Sequence, residues 1–314
     1  MTVRVRVPAS SSNLGAGFDC IGVAVDRWLV ATVAPVAGNA ISIRRGGRLT
    51  AVSVAVDDDL LARGFRAACA AAGASPAGAT IDATSDIPVG CGLGSSAAAI
   101  VAGVLLADAA LELNLTRPRI VEIAATIEGH PDNVAPAVHG GAVLSVRTSA
   151  GLVSTSLKVA DGLELLLVVP PFPSDTKAAR AVLPKTLPHA DAVVAASRAA
   201  ALVQGLATGD GALLGAALDD VLHVPFRRAR IPGYDAVVVA ARNAGAFGAT
   251  LSGAGSAIVA IAPRDRAASV GSAMIAAWRA MGVEAELVRS AHPVPGAAVN
   301  RLPQRTHPVS SELS

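Results

Sequence analysis

The chain has 314 residues, of which 52% are hydrophobic and only 16% charged, with a formal charge of +2 at pH 7. That length suits two domains better than one, and the apolar share supplies a sizeable core and excludes wholesale disorder. The sequence has no long run of Lys or Arg, which argues against a nucleic-acid partner, and no apolar run approaching the roughly 18 residues a membrane span needs.

In chain order, TVRVRV (2–7) alternates Val with polar residues and predicts a strand. PASSSNLGAGFDCIG (8–22) reads as a loop, dense in Ser, Asn and Gly. VAVDRWLVATVAPV (23–36) and AISIRRGGRLTAVSVAV (40–56) read as strands. DDDLLARGFRAACAAAG (57–73) reads as a helix, with acidic residues at its start and Gly73 as its stop. GATIDATSDIPVG (78–90) is a strand running into a glycine-rich turn. From Ser95 to Leu113 an alanine-rich helix is apolar nearly all round, which predicts burial. LTRPRIVEIAATIEG (115–129) is a helix with Pro118 in its first turn and Gly129 at its end. GGAVLSV (140–146) and LELLLVVP (163–170) read as strands.

PPFPSDTKAARAVLP, from Pro170, looks like the crossing into a second unit. Helices follow near 189–207 and 211–222. A second glycine-rich turn, LSGAGSA (251–257), leads into a β-branched strand. A helix near 265–281 and the strand VEAELVR (283–289) come next. The tail from about His292 is rich in Pro and polar residues, a composition compatible with disorder. Mixed strands and helices in both halves indicate α+β and not a regular βαβ series. The N-terminus carries no apolar signal core, and Cys20, Cys69 and Cys91 form no CxxC pair; both point to a reducing cytoplasm.

The stretch Pro88, Val89, Gly90, Cys91, Gly92, Leu93, Gly94, Ser95, Ser96, Ala97 places three glycines between a strand and a buried helix start. Free amides at a helix N-terminus favour an anion, and glycines let the backbone approach phosphate oxygens. The loop lacks the Lys of a Walker loop and the spacing of a dinucleotide fingerprint. Charge on a nucleotide would then be met by backbone, by a metal, or by a residue elsewhere, and Ser95 or Ser96 offers a hydroxyl for Mg²⁺. The alternative is a tight strand-to-helix turn with serine capping.

PVGCGLGSSAAA resembles the nucleotide loop of the GHMP kinases, the superfamily of galactokinase, homoserine kinase, mevalonate kinase and phosphomevalonate kinase. PASSSNLGAGFDCIG is similar to that superfamily's first motif and LSGAGSA to its third. SSNLGAGFD, EGHPDN, TKAAR and RIPGY resemble segments of the homoserine kinase family, spread over residues 8–257. The resemblance implies a two-domain fold: a nucleotide-binding domain at 1–163, like domain 2 of ribosomal protein S5, and a ferredoxin-like domain at 164–314, with the active site between them. It implies transfer of phosphate from ATP to L-homoserine with Mg²⁺, on the route to threonine, by a cytoplasmic enzyme acting as a homodimer.

The same resemblance implies site residues. Ser96 and Glu122 match the magnesium ligands; by periodicity alone Glu122 lies opposite the stripe of Ile120, Ile123 and Ile127, on a solvated face. His130 is implied to bind substrate, and Asn133, with Asp132, to lie at the acceptor hydroxyl; outside the resemblance a His after a helix-ending Gly is usually a carbonyl cap, and Asp132 could be a turn residue. Asn cannot take a proton, so the implied transfer works by positioning and charge neutralisation. Asn13 and Asp19 have an Asx-turn reading and a functional one, with Asp19 meeting an ammonium. Arg180 and Arg227 match the two arginines that hold the substrate carboxylate, and Thr176, one turn before Arg180, faces the same way. Gly253 and Gly255 form the supporting loop, in which Ser256 and Ala257 replace the usual Pro-Ser. The competing readings are a mevalonate kinase-like enzyme, a non-catalytic nucleotide-binding regulator, and a nucleic-acid binder on the S5-like domain, for which the basic face is missing.

Overall fold

The computed structural model describes residues 2–75, 77–290 and 294–302. The chain opens with a long antiparallel hairpin, β1 (Thr2–Asn13) and β2 (Gly17–Val36), turned by Leu14, Gly15 and Ala16. The segment 8–22, expected as a loop, is mostly strand. Its serines are buried and hydrogen-bonded across the fold, so polar residues stand where a strand face would normally be apolar. Burial of a hydroxyl is tolerable only with such partners.

β3 (Ile41–Gly47) pairs parallel with β4 (Gly78–Ser85), and β4 pairs antiparallel with β2. The strand expected over 40–56 ends at Gly47, followed by a 3₁₀ turn at Arg48–Ala51. β5 (Ala142–Thr148) pairs with the first part of β2 and with β6 (Gly151–Leu157), a strand not expected from the sequence.

Four helices belong to this first unit: α1 (Leu60–Ala71), α2 (Ser95–Leu111), α3 (Arg117–Glu128) and α4 (Val134–His139). Asp59 caps α1 through its Oδ1, which accepts from the Leu61 amide at 2.8 Å, and Thr116 caps α3. α2 buries Ala97 through Ala107, every side around its axis. At α1 its surface has no side chain to spare: a Cβ on Gly103 would stand 2.1 Å from the Leu61 carbonyl.

The second sheet has the order β10-β7-β9-β8, all antiparallel: β7 (Leu163–Val169), β8 (Gly248–Leu251), β9 (Ile258–Pro263) and β10 (Glu286–Ser290). With α9 (Tyr234–Asn243) between β7 and β8 and α10 (Ala267–Arg279) between β9 and β10, this is a ferredoxin-like arrangement. β7 is buried at all seven positions because both faces are covered. Leu165 and Leu167 pack into the core shared with the first unit, while Leu166 and Val168 pack with Val237, Met274 and Trp278 from α9 and α10.

Between β7 and α9 lie α5 (Thr176–Ala181), α6 (His189–Thr208), α7 (Gly211–Leu218) and the short α8 (Val224–Arg227). α7 stops four residues before the expected end because Asp219 and Asp220 follow. α6, at 20 residues and a mean hydropathy of 1.2, is the one described helix long and apolar enough to cross a membrane. It nevertheless buries Leu202 and Leu206 in the core and pairs Arg198 with Asp219 at 3.1 Å.

Residues 294–302 correct part of the reading of the tail. Positions 291–293 and 303–314 lie outside the described residues, but β11 (Ala298–Leu302) pairs antiparallel with β1 and extends the first sheet to seven strands. Pro295 bridges to Gly140. After β10 the chain therefore returns to its first unit.

Candidate active site

The glycine loop meets α2 in a cleft lined by both glycine loops and by His130, Arg180 and Arg227. Gly94 is the cap residue at φ +66°, and no side chain caps the helix. The amides at the start of α2 are thus left to the cleft, and the reading of the stretch as a serine-capped turn does not hold. Gly90, Gly92, Gly94, Ser95 and Ser96 line the cleft. Leu93 and Ala97 instead bury their side chains in the core, while Pro88, Val89 and Cys91 line a cavity behind the loop.

Close packing explains the glycines. A Cβ on Gly92 would sit 2.2 Å from the Ser252 carbonyl and 2.8 Å from that of Gly255, so the two glycine loops cross backbone on backbone. The Ala257 amide donates to the Cys91 carbonyl at 3.0 Å, and the Ser252 hydroxyl donates to the Gly92 carbonyl. Gly253, Ala254 and Gly255 line the cleft from this second loop, and Ser256 ties it to the Phe172 carbonyl.

Ser96 Oγ donates to Glu128 Oε1 at 2.5 Å. Glu128 is the last residue of α3, and burial pushes its carboxyl up from the ordinary range, against the Ser96 hydrogen bond and the charge of His130. This carboxylate lines the cleft and Glu122 does not: Glu122 is exposed and paired with Arg119 at 2.7 Å. The structure thus places Glu122 away from the cleft, against the expectation for it, and sets Glu128 beside Ser96 instead. Six residues along a helix turn the side chain by about 120°, which separates a face at the cleft from one in solvent.

After Gly129 the chain places His130, Asp132 and Asn133 on the cleft wall. His130 Nδ1 and the Asn133 amide both bond Asp132 Oδ1, the latter at 2.9 Å. Burial alone would depress the His130 imidazole, but the Asp132 bond and the charges of Asp132 and Glu128 outweigh it and lift it above its ordinary value. Asn133 Oδ1 accepts from Ser10 Oγ and its Nδ2 donates to Ser12 Oγ, both at 2.9 Å. Ser10 and Ser12, which no local motif singles out, thus fix the orientation of this side-chain amide.

Across the cleft, Arg180 Nη1 and Nη2 donate to both oxygens of Asp19 at 3.0 and 2.7 Å. Asp19 sits at φ +58° and Asn13 at φ +72°, left-handed conformations that Asp and Asn tolerate. Asn13 Nδ2 donates to the Gly253 carbonyl and its Oδ1 accepts from the Asp19 amide, both at 3.0 Å. Arg227 is buried, with Nε donating to the Ala179 carbonyl at 3.0 Å. Burial and the neighbouring Arg180 pull its guanidinium down to about 10, so it is charged at neutral pH. Thr176 and both arginines line the same cleft. Asp19, His130 and Asp132 bring donor atoms within 4.8 Å of one another.

A second, mainly apolar cavity adjoins the loop, lined by Leu49, Val52, Val54, Leu60 and Ala99 and sharing Gly90, Ser95, Ser96 and Thr176 with the cleft. Asp59 at its edge is committed to capping α1 and pairing with Arg45.

The fold and this loop-and-cleft site define a GHMP kinase. The family models described as the GHMP kinases N terminal domain and GHMP kinases C terminal match residues 59–141 and 201–280. The chain is 38% identical over 289 residues to homoserine kinase of Trichormus variabilis, covering 92% of this chain and 95% of the relative, and 41% identical to that of Gloeobacter violaceus, covering 87% and 92%. A crystal structure of homoserine kinase from Cytophaga hutchinsonii superposes with a TM-score of 0.87 at 30% identity, over 95% of this chain and 97% of that one. Mevalonate kinase of L. major, at 19% identity and a TM-score of 0.65 over 92% and 96% of the two chains, shares the fold. The chain belongs to the homoserine kinase family.

Proposed function

We infer that this chain transfers the γ-phosphoryl group of ATP to the side-chain hydroxyl of L-homoserine, giving O-phospho-L-homoserine and ADP. The observation that carries the reading is the pairing, across one cleft, of an uncapped helix start with two guanidinium groups and an acidic corner. The helix start suits the triphosphate. The apolar cavity beside it suits a purine. Arg180 and Arg227 suit an α-carboxylate, and Asp19 with Asp132 suits an α-ammonium.

Ser96 Oγ and Glu128 Oε1 are hard oxygen donors that meet in the cleft beside the helix start, a set that fits Mg²⁺ with few protein ligands. Bound there, the cation would neutralise charge on the phosphates. Asp132 holds His130 and Asn133 through one oxygen, and Ser10 and Ser12 hold the Asn133 amide, so the groups at the acceptor hydroxyl are fixed before substrate arrives. As the hydroxyl oxygen bonds to the γ-phosphorus, the bond to the ADP oxygen breaks, and the hydroxyl proton passes to a phosphate oxygen or to water. No residue here has to act as a strong base, because a loose phosphoryl-transfer transition state asks mainly for position and charge neutralisation.

The mevalonate kinase-like alternative calls for a carboxylate base where Asn133 stands, and a non-catalytic regulator would have no use for the Ser96–Glu128 pair. The three cysteines are free, which suits the reducing cytoplasm proposed as the site of action. A homodimer remains part of the proposal, to be read by sedimentation. The assignment is tested by phosphorus NMR of the reaction mixture: a new phosphomonoester on the homoserine hydroxyl supports it, and ADP appearing without one overturns it.

A further inference from the structure

Behind the cleft lies a buried histidine to which the transfer described above gives no part. His223 is fully buried at the N-cap of α8, and its side chain sits between two functional elements. Its Nε2 bonds the Gly15 carbonyl at 3.2 Å, in the β1–β2 turn. A carbonyl oxygen can only accept, so Nε2 carries the hydrogen. Its Nδ1 lies 3.3 Å from Arg227 Nη1, which is a donor in every protonation state, so Nδ1 is an acceptor. The two partners together select one tautomer of a neutral imidazole.

The surroundings hold that form. Asp220 sends its carboxylate to backbone amides, accepting from Leu222 at 2.8 Å, His223 at 2.6 Å and Val224 at 2.7 Å, and stays 3.7 Å from the ring. The charged groups facing the imidazole are Asp220, Arg227 and, from the first hairpin, Asp19; burial dominates them and lowers the imidazole to about 4. Phe18 stacks on the ring with centroids 4.9 Å apart, and both guanidinium groups lie by the Phe18 face, Arg227 at 5.2 Å and Arg180 at 5.8 Å.

Arg227 has five N–H donors. Nε is spent on the Ala179 carbonyl, and Nη1 on His223 Nδ1 and, at 3.4 Å, the Gly253 carbonyl. Only Nη2 is without a partner among the described residues, and the residue lines the cleft. We propose that His223 is a positioning residue for substrate recognition: as a neutral hydrogen-bond acceptor braced on Phe18 and Gly15, it holds the Arg227 guanidinium so that its Nη2 edge meets the carboxylate of the acceptor. A protonated ring would set a donor and a positive charge against the same nitrogen and push the fork away. The specificity function lies in the pair, with the histidine never touching substrate. This deepens the proposed function and rests on it.

The test is steady-state kinetics of the full chain with ATP and L-homoserine. Wild-type turnover of homoserine establishes the underlying reading, and its absence would sink that reading irrespective of His223. His223→Phe keeps the stack and removes the acceptor; it should raise the homoserine KM tenfold or more while leaving the ATP KM within twofold. His223→Asn, whose amide oxygen replaces Nδ1, should recover most of the loss. In an Arg227→Gln background, His223→Phe should add little further. The proposal is overturned by equal changes in both KM values, by Asn behaving no better than Phe, or by additive effects of His223→Phe and Arg227→Gln. Imidazole nitrogen NMR of the wild-type protein supplies a readout that needs no variant: a bare Nδ1 and a protonated Nε2 at pH 7 are expected, and a hydrogen on Nδ1 would refute the arrangement.

Discussion

Arg180 and Asp19, 161 residues apart in sequence, form a two-pronged ion pair across the mouth of the cleft. Each is the partner that the opposite end of an amino-acid substrate would take. A zwitterion can therefore enter by exchange, its carboxylate turning to the arginine and its ammonium to the aspartate, without leaving a bare charge on either side.

Arg180→Lys should accordingly raise the KM for homoserine about tenfold, since a single ammonium cannot make both bonds of a planar fork. The ATP KM should stay within twofold. A loss shared equally between the two substrates would point to damage of the fold.

The Ser96–Glu128 pair gives a prediction about metal and pH. Glu128→Gln should weaken the dependence of rate on Mg²⁺ by an order of magnitude or more in apparent affinity, whereas Glu122→Gln on the exposed face of α3 should match wild type. Because burial raises the Glu128 carboxyl, ionising it costs stability that is absent below the unfolded carboxylate range and grows as pH rises through it. Metal-free Glu128→Gln should therefore melt no lower than wild type at pH 7.5, and its advantage should vanish near pH 4. A variant that melts well below wild type at pH 7.5 would contradict this.

His223 has the opposite sign. Its folded-state value, about 4, lies below the ordinary 6.5, so its contribution to stability is complete above 6.5 and is lost as pH falls from there towards 4. Denaturant melts of wild type and His223→Asn should converge as pH drops through that window. Parallel curves would show that the ring does not titrate on unfolding.

Gly92→Ala should abolish soluble, active protein or cost several kcal/mol in a chemical melt. The new methyl would meet two backbone carbonyls that cannot swing aside, at a residue held at φ +81°. Near-native stability would mean the two glycine loops are not packed as described. Truncation after Ser290, which removes β11 from the edge of the first sheet, should lower the melting temperature by several degrees.

Much of the site was legible in the sequence because its parts are local. A glycine run before an alanine-rich helix and a His-Pro-Asp-Asn turn after a helix-ending Gly each place their groups within a few residues. What was missed depends on distant partners. Ser10, Ser11 and Ser12 read as loop residues because their strand is polar, and only Asn133 and Ser252 explain how it can be buried. Periodicity sets Glu122 on a solvated face of α3, where the structure leaves it, and the resemblance overrode that reading; nothing local says that Glu128 is the carboxylate facing Ser96. His223 carries no local signal, since its role is set by Arg227 one turn on and Gly15 on the first hairpin. β11 is five residues long and acquires strand character from β1.

Following ADP release from ATP and Mg²⁺ with L-homoserine, mevalonate or galactose as the acceptor decides whether the cleft selects an amino acid. Turnover with homoserine and background rates with the other two are expected. Turnover of mevalonate with homoserine inert would contradict the proposed function.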